Sequence, residues 1–465
     1  METIKNAPAL GTREEKKAFY KHALAITAPI ALQNFMNVAV DSADVILLSF
    51  VSQEALAASS LARQVAFVLN MLLFGVSSCA AILGAQYWGK GDKKAVERVL
   101  GLTLRVAVLL GLVFTVAAAA FPTFIMRIFT DDEALIREGV RYLRAVSASY
   151  LLGGFATVYL SVMRSVERVK MSAAVHCAAV GMNVFLNCAF IFGWGPFPVL
   201  GITGVALATS ITRGLEVIFC IFDGGLNKLI RLRLHWLVAK GGELMRDFIR
   251  YAVPAVANDV IWGLAFSVYS VILGHLSADI VAANSVATVV RDLGTVVCYG
   301  VSSAAGIILG QAMGDNRLEE AKTYAKRFIG LAIGTAIIGG IVILLCRPLV
   351  LKFMYLYVEV TDTVRSELST MLYISSYYIF GAAVNTMLVC GIFRSGGDVK
   401  FGLFLDLFAM WGYAVPMGLL CAFVFKIPEM WVYFVLCLDE FVKMPAFALH
   451  YRKRKWLKNI TRELD

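Results

Sequence analysis

The sequence predicts an all-α integral membrane protein in which twelve transmembrane helices form two parallel six-helix repeats. Hydrophobic residues make up 59% of the 465 residues and charged residues only 16%, whereas a soluble chain carries about 25% charged residues. The apolar residues form blocks such as 101–121 and 328–346, and a helix of about 20 residues is enough to cross a bilayer. The chain also aligns with itself at an offset of 225 residues, which indicates an internal duplication.

Twelve apolar segments are predicted to span the membrane. In chain order they are residues 20–48, 55–86, 99–121, 139–162, 171–193, 200–222, 250–273, 281–311, 328–346, 368–392, 400–425 and 430–450. An even number of spans places both termini on the same side of the membrane. The first apolar run is full length and follows a charged leader, so we expect no cleavable signal peptide.

The basic residues between the spans predict which side faces the cytoplasm. Loops and tails on the side of the termini carry 29 Lys and Arg, and those on the other side carry six. The positive-inside rule therefore makes both termini cytoplasmic, and we expect a multi-pass protein of a bacterial inner membrane. The net charge of +10 is explained by this topology, so nucleic acid is not an expected partner.

The duplication sets the predicted domain organisation. Pro29 aligns with Pro254, and the run GVSS at 75–78 recurs at 300–303. Six spans per copy make the repeats parallel, an arrangement that places a substrate near the midplane between the halves. The predicted divisions are an N-terminal tail 1–19, a first lobe 20–222, a cytoplasmic connector 223–247, a second lobe 248–451 and a basic cytoplasmic tail 452–465.

The sequence lacks the short motifs that indicate catalysis or nucleotide binding. It contains no HExxH zinc motif, no P-loop and no GxSxG serine elbow, so we expect neither an enzyme nor a chain that uses ATP itself. The nine cysteines form no CxxC pair, so neither a zinc site nor a disulfide framework is predicted. No cofactor is expected.

Polar residues in the first half of the chain predict a cation site inside the membrane. The first span carries a stripe at helical spacing, made of Asn34, Asn37, Asp41 and Asp44. Partners on the fifth and sixth spans are His176, Asn183, Asn187 and Thr209. Carboxylate, amide and hydroxyl oxygens are ligands for a hard cation such as Na⁺ at Asp44, and the same carboxylate also binds a proton when desolvated. The alternative is that these groups only join helices by hydrogen bonds.

Acidic and aromatic residues in the second half predict a cavity that accepts a substrate. The candidates are Asp259, Trp262, Tyr269, Asn385, Asp406 and Met410. Acids beside aromatic rings and methionine suit flat organic cations. The alternative for the aromatic residues is lipid contact or helix packing. The intramembrane charges are interpreted as mainly acidic. Arg394, beside a cytoplasmic turn, is interpreted as a topology anchor, and Arg213 is expected to pair with Glu216 three residues later.

An ordered set of segments resembles the multidrug and toxic compound extrusion (MATE) transporters. The segments include Asp44 with the following LAA run at 56–58, then 75–92, 200–213, 300–316 and 393–401. The resemblance covers about 25–450 and implies two V-shaped lobes that export organic compounds in exchange for Na⁺ or H⁺. It also implies an Asp at the position of Asn187 and a Glu at that of Asp259, so the acid is kept only at Asp259. Some members carry a cation-binding Asp in the tenth span, where residues 383–385 read Ala-Val-Asn here.

A second interpretation remains open, because a related branch of the same superfamily moves lipid-linked saccharides. That branch is marked by basic residues in the central cavity, and the acids listed above favour cation export. We expect a small organic molecule and membrane lipid as partners, and a monomer as the working form.

Overall fold

The structure, a computed structural model, describes residues 11–226, 229–238, 242–357 and 361–463. The helices of the first repeat are α1 (Arg13–Ser49), α2 (Gln53–Lys90), α3 (Lys93–Ala120), α4 (Glu133–Ser165), α5 (Val169–Phe192) and α6 (Gly201–Leu226). Two short helices, Pro122–Phe129 and Leu234–Val238, lie between longer elements.

The second repeat begins with α7 (Gly242–Gly274), α8 (Ala278–Gly314), α9 (Leu318–Tyr357) and α10 (Asp362–Thr386). The π-helix Met387–Phe393 continues α10. The next segment, α11, starts as Val399–Asp406 and runs through alternating π- and α-helical stretches to Val424. It is followed by α12 (Glu429–Leu436) and α13 (Asp439–Arg452).

The helices confirm the all-α membrane class. In the described residues, eleven helices are long and apolar enough to cross a membrane. Each corresponds to one of the first eleven predicted spans. The last predicted span, 430–450, is interrupted: a turn at Cys437 and Leu438 separates α12 from α13.

One compact unit comprises residues 35–256 together with the end of the chain from Thr461. Within it α4 packs against α2, α3 and α6. Small residues permit this packing, since a Cβ at Gly111 on α3 would lie 2.7 Å from the Leu151 Cα on α4. Membrane helices approach closely where glycine or alanine replaces larger side chains.

The other compact unit comprises the residues up to Asn34 and Ala257–Ile460. Here α8 packs against α9 and α10, and α10 also contacts α13. Its core includes the buried side chains of Tyr269, Ile379 and Met410. The three π-helical stretches of the described chain, in α10 and α11, all belong to this unit. Such stretches often accompany functional sites.

The first helix of each repeat begins in one unit and ends in the other. Accordingly, a Cβ at Gly75 on α2 would lie 2.7 Å from the Val256 Cα on α7. At the equivalent position, Gly300 on α8 meets Ala31 on α1 at 3.1 Å. Both pairs are related by the offset of 225. The lobe boundaries predicted from the sequence follow the repeats instead, and they stay a prediction.

The C-terminal tail packs on the protein. Trp456 is buried, and the Asn459 side chain donates to the Gly314 carbonyl at 3.2 Å. Further on, Arg462 forms an ion pair with Asp247 at 2.8 Å. The tail residues Asn459 and Arg462 are therefore each held by polar contacts within the unit to which they belong.

Candidate functional site

A polar network surrounds Asp44 in the interior of the unit that contains residues 35–256. Asp44 is 8% exposed and accepts a hydrogen bond from Asn187 Nδ2 at 2.8 Å. Asn187 also donates to Asn183 at 3.2 Å, and Asn183 donates to the Thr209 hydroxyl at 3.5 Å. Helices α1, α5 and α6 thus bring together Asp44, Asn183, Asn187 and Thr209, which the sequence grouped.

A basic residue that the sequence analysis missed lies beside this network. Arg63 on α2 approaches Asp44 with an N–O distance of 3.7 Å, which is longer than a charge-assisted hydrogen bond. Of the oxygens in the network, Asn187 Oδ1 is buried and accepts no hydrogen bond from any described residue. The side chain of Asp41, another predicted ligand, is not among those that the structure describes.

A second polar group joins the same helices nearer to the start of α5. His176 lies 2.7 Å from Asn37 Oδ1 and 3.4 Å from Glu216 Oε1. Arg213 donates to Glu216 at 2.6 Å, so the expected pair is confirmed. His176 therefore interacts with Asn37 and Glu216 in this structure, whereas Asn187 contacts Asp44 directly and Asn183 reaches it through Asn187.

In the other unit, Asp259 is bound to a basic side chain. Arg394 donates to Asp259 Oδ1 at 2.7 Å and to Asn258 Oδ1 at 2.8 Å. Arg394 is 1% exposed, and a topology anchor would extend into water. Its interpretation as an anchor is wrong, because the side chain turns inward to neutralise a carboxylate.

Asp406 is also paired. Lys443 Nζ lies 3.0 Å from Asp406 Oδ1, and Asn258 Nδ2 donates to Asp406 Oδ2 at 2.7 Å. Lys443 additionally donates to Glu440 at 3.0 Å. Sequence reasoning missed Lys443, Glu440 and Asp439, although a charged residue inside an apolar span is itself a signal of function.

The other predicted cavity residues have differing environments. Trp262 is partly exposed and lies against Phe266, with ring centroids 4.3 Å apart. Tyr269 is buried, and Asn385 donates to Glu440 Oε2 at 2.7 Å. Met410 has no exposed surface and packs in the core of this unit, and its place in a cavity wall stays a prediction.

The charge inventory corrects the interpretation of the membrane interior as mainly acidic. Basic groups lie beside the acids: Arg63 near Asp44, Arg213 on Glu216, Arg394 on Asp259, and Lys443 on Asp406. Apart from Arg213, these partners were not predicted from the sequence, because they lie on other helices or a turn away. The buried groups therefore carry far less net negative charge than the acids alone suggest.

The profile of the family described as MatE matches residues 29–189 and 254–420. The chain belongs to the MatE family. The two matches begin 225 residues apart, as the internal duplication requires. Membership of the MatE family makes the protein a membrane transporter rather than an enzyme, and it confirms the resemblance found in the sequence.

Named relatives and solved structures match nearly the whole length of the chain. A probable multidrug resistance protein NorM from Thermotoga maritima is 22% identical over 462 residues, covering 97% of this chain and 96% of its own. Multidrug resistance protein PmpM from Pseudomonas aeruginosa is 22% identical over an alignment that covers 89% of this chain and 86% of PmpM. A structure described as the outward-facing conformation of a multidrug resistance MATE family transporter has a TM-score of 0.85 at 19% identity. The match covers 93% of this chain and 95% of that one.

Proposed function

We propose that this MatE-family transporter exports organic, drug-like compounds, chiefly cations, in exchange for H⁺ or Na⁺. Relatives named multidrug resistance proteins support export, and the loops rich in Lys and Arg support a bacterial inner membrane with both termini inside. We propose further that a monomer performs transport by alternating between inward-open and outward-open states.

The observation that carries the proposal is the network at Asp44. A carboxylate inside a membrane helix is costly, and an amide at this position would join the helices without that cost. Asp44 accepts a hydrogen bond from the Asn187 amide on α5, and Asn183 links that amide to the Thr209 hydroxyl on α6. The unsatisfied Asn187 Oδ1 offers one more acceptor for an incoming ion.

Coupling requires that the ion and the substrate prefer different states of the transporter. When Asp44 binds H⁺ or Na⁺, the charge that attracts Arg63 at 3.7 Å is removed or shared. The hydrogen bonds to Asn187 then change as well, so ion binding alters contacts between α1, α2 and α5. This local change is the proposed link to substrate release.

The first prediction tests Asp44. Asp44→Asn keeps the shape and a hydrogen-bonding group but removes the ionisable charge, so ethidium efflux from a pump-deficient bacterium falls by about tenfold or more. Expression must be equal in the two strains. Asp131→Asn, which changes an exposed carboxylate in the loop before α4, is the matched control and keeps wild-type efflux. Unchanged efflux in Asp44→Asn would remove this residue from the mechanism.

The identity of the ion is tested with purified protein in liposomes. A pH gradient and a Na⁺ gradient are imposed separately, and ethidium movement is followed in each case. Efflux driven by one gradient names the ion, and no response to either gradient contradicts the proposed exchange.

The buried basic residues do not favour transport of lipid-linked saccharides. A pyrophosphate needs available positive charge, whereas Arg394 and Lys443 are bound to carboxylates. Their hydrogen bonds would have to break before either side chain reached an anion. The pairing of these two residues therefore counts against a pyrophosphate-linked substrate.

A further inference from the structure

The unit that contains Ala257–Ile460 has a buried cluster of charges in which one ammonium group serves several acids. Lys443 donates to Asp406 Oδ1 and to Glu440 Oε1, each at 3.0 Å. The remaining oxygens of these acids are satisfied by amides: Asn258 donates to Asp406 and Asn385 donates to Glu440, each at 2.7 Å. All four oxygens of these two acids thus accept hydrogen bonds from described residues.

Asp439 is the acid in this cluster that lacks such partners. It is 1% exposed, and neither carboxylate oxygen accepts a hydrogen bond from a described residue. Lys443 Nζ is 3.8 Å away and already donates to two other acids. The backbone N–H of Glu440 is nearby but lacks hydrogen-bonding geometry. A buried carboxylate without donors is strongly disfavoured.

The backbone around Asp439 is irregular on three helices. The turn at Cys437 and Leu438 ends α12, and Asp439 begins α13. A π-helix starts at Met387, two residues after Asn385, and another starts at Leu407, immediately after Asp406. In membrane transporters, interrupted helices and π-helical stretches mark places where ions bind.

We propose that the Asp439 carboxylate is a proton-binding site, distinct from Asp44. A proton from water bonds to one carboxylate oxygen, which changes three acids and one ammonium from a net charge of −2 to −1. Release returns the proton to water. Within the described residues no group of three or more His, Cys, Asp or Glu is arranged to hold a metal ion, and Lys443 repels a second cation.

The charged side chains near Asp439 are the other acids of the cluster and Lys443. Several titratable side chains interact electrostatically with Asp439. They are Tyr269 from α7, Tyr377 and Tyr378 from α10, Asp406 and Tyr413 from α11, Cys437 after α12, and Glu440 and Lys443 from α13. The buried Tyr269 hydroxyl and Asn385 Oδ1 have no hydrogen-bond partner among the described residues. They are candidate acceptors for the new O–H group.

The role of this site in transport rests on the proposed function, whereas proton binding itself does not. Infrared difference spectra of the purified full-length protein detect the C=O stretch of a protonated carboxyl group, which shifts in D₂O. We expect wild type to show such a band that titrates with pH. Asp439→Asn lacks the band, whereas Asp44→Asn and Asp131→Asn keep it.

A second variant keeps the test decisive if Asp439→Asn does not fold. Asp439→Glu retains a carboxyl group and moves the band without abolishing it. The same band in wild type and in Asp439→Asn would overturn the proposal. So would thermal stabilisation by Na⁺ that is present in wild type and lost in Asp439→Asn, because that result assigns a sodium site. The proposed function fails by a different result, the absence of gradient-driven efflux in wild-type liposomes.

Discussion

The pair of Arg394 and Asp259 shows how this protein keeps ionised residues inside a membrane. Arg394 is buried and Asp259 is partly buried, their charged groups are 2.7 Å apart, and Asn258 accepts a further hydrogen bond from the guanidinium. Burying such a pair gains little net stability, since desolvation offsets the attraction, but removing one partner leaves an uncompensated charge. The pair therefore constrains which single substitutions the protein tolerates.

The residue-scale prediction follows from that asymmetry. Arg394→Ala leaves the Asp259 carboxyl group without its partner and lowers the free energy of unfolding by about 3–5 kcal/mol. Adding Asp259→Asn to the same variant recovers part of the loss, because the unpaired charge is gone. Thermal unfolding in detergent measures both effects. Arg127→Ala, which removes an exposed arginine from an ion pair with Glu133, is the control with little effect. If the stability losses of Arg394→Ala and Asp259→Asn simply added up in the double variant, the proposed interaction between the two residues would be contradicted.

Individual residues were predictable where helical spacing decides the outcome. Asn183 and Asn187 are four apart, so one face of α5 presents both, and the structure places them beside Asp44 and Thr209. Lys443 and Arg63 were not found, because a sequence does not say which helix faces which. Arg394 was misread for a related reason, since the end of a span can turn either toward water or toward the interior.

At the scale of elements, close helix packing depends on glycine at defined positions. A Cβ at Gly111 would lie 2.7 Å from the Leu151 Cα and 2.8 Å from the Tyr150 carbonyl oxygen. Because these are backbone atoms, no rotation of a side chain relieves the clash. The packing of α3 on α4 therefore requires the absence of a side chain.

The element-scale prediction compares two glycines in helices. Gly111→Ala forces α3 away from α4 and costs about 1–3 kcal/mol, as overpacking does elsewhere. Gly181→Ala on α5 meets no atom within 4 Å, so it leaves stability unchanged or raises it through better helix propensity. We expect the melting temperature in detergent to be lower for Gly111→Ala than for Gly181→Ala. Equal melting temperatures would show that the helices separate without cost.

Most long helices were predicted within several residues, because their apolar blocks are long and their loops are charged. The interruption between α12 and α13 was not predicted, since neither Cys437 nor Leu438 is a helix breaker and no glycine or proline marks the turn. The π-helical stretches also lack a sequence signature. In contrast, Pro29 and Pro254 lie inside α1 and α7, which continue past them.

At the scale of the whole molecule, each sequence repeat depends on the other for its packing. Gly75 of the first repeat meets Val256 of the second, and Gly300 of the second repeat meets Ala31 of the first. The connector between the repeats is anchored to the first one, since Arg105 donates to the Trp236 carbonyl at 3.2 Å and a Cβ at Gly101 would touch Trp236.

The whole-molecule prediction uses a break in the chain at residue 240, after the short helix that carries Trp236. Fragments 1–240 and 241–465 expressed together co-purify and bind ethidium, whereas each fragment alone is degraded, because its glycine contact surface is uncovered. Gly75→Leu in the first fragment abolishes co-purification, and Gly181→Leu, which replaces a glycine with no close neighbour, does not. Stable folding of either fragment by itself would contradict the prediction.

The reciprocal glycine contacts also bear on ancestry. The contact of Gly75 with Val256 becomes that of Gly300 with Ala31 when 225 is added to the first number and subtracted from the second. This is the pattern of a symmetric dimer, in which residue i of one copy contacts residue j of the other and residue j contacts residue i. Before the gene duplicated and fused, a six-helix polypeptide with these residues would have assembled as a homodimer that exchanged the start of its first helix. Fusion then allowed the halves to diverge, and today Asp44 aligns with Tyr269 and Asp406 aligns with His176.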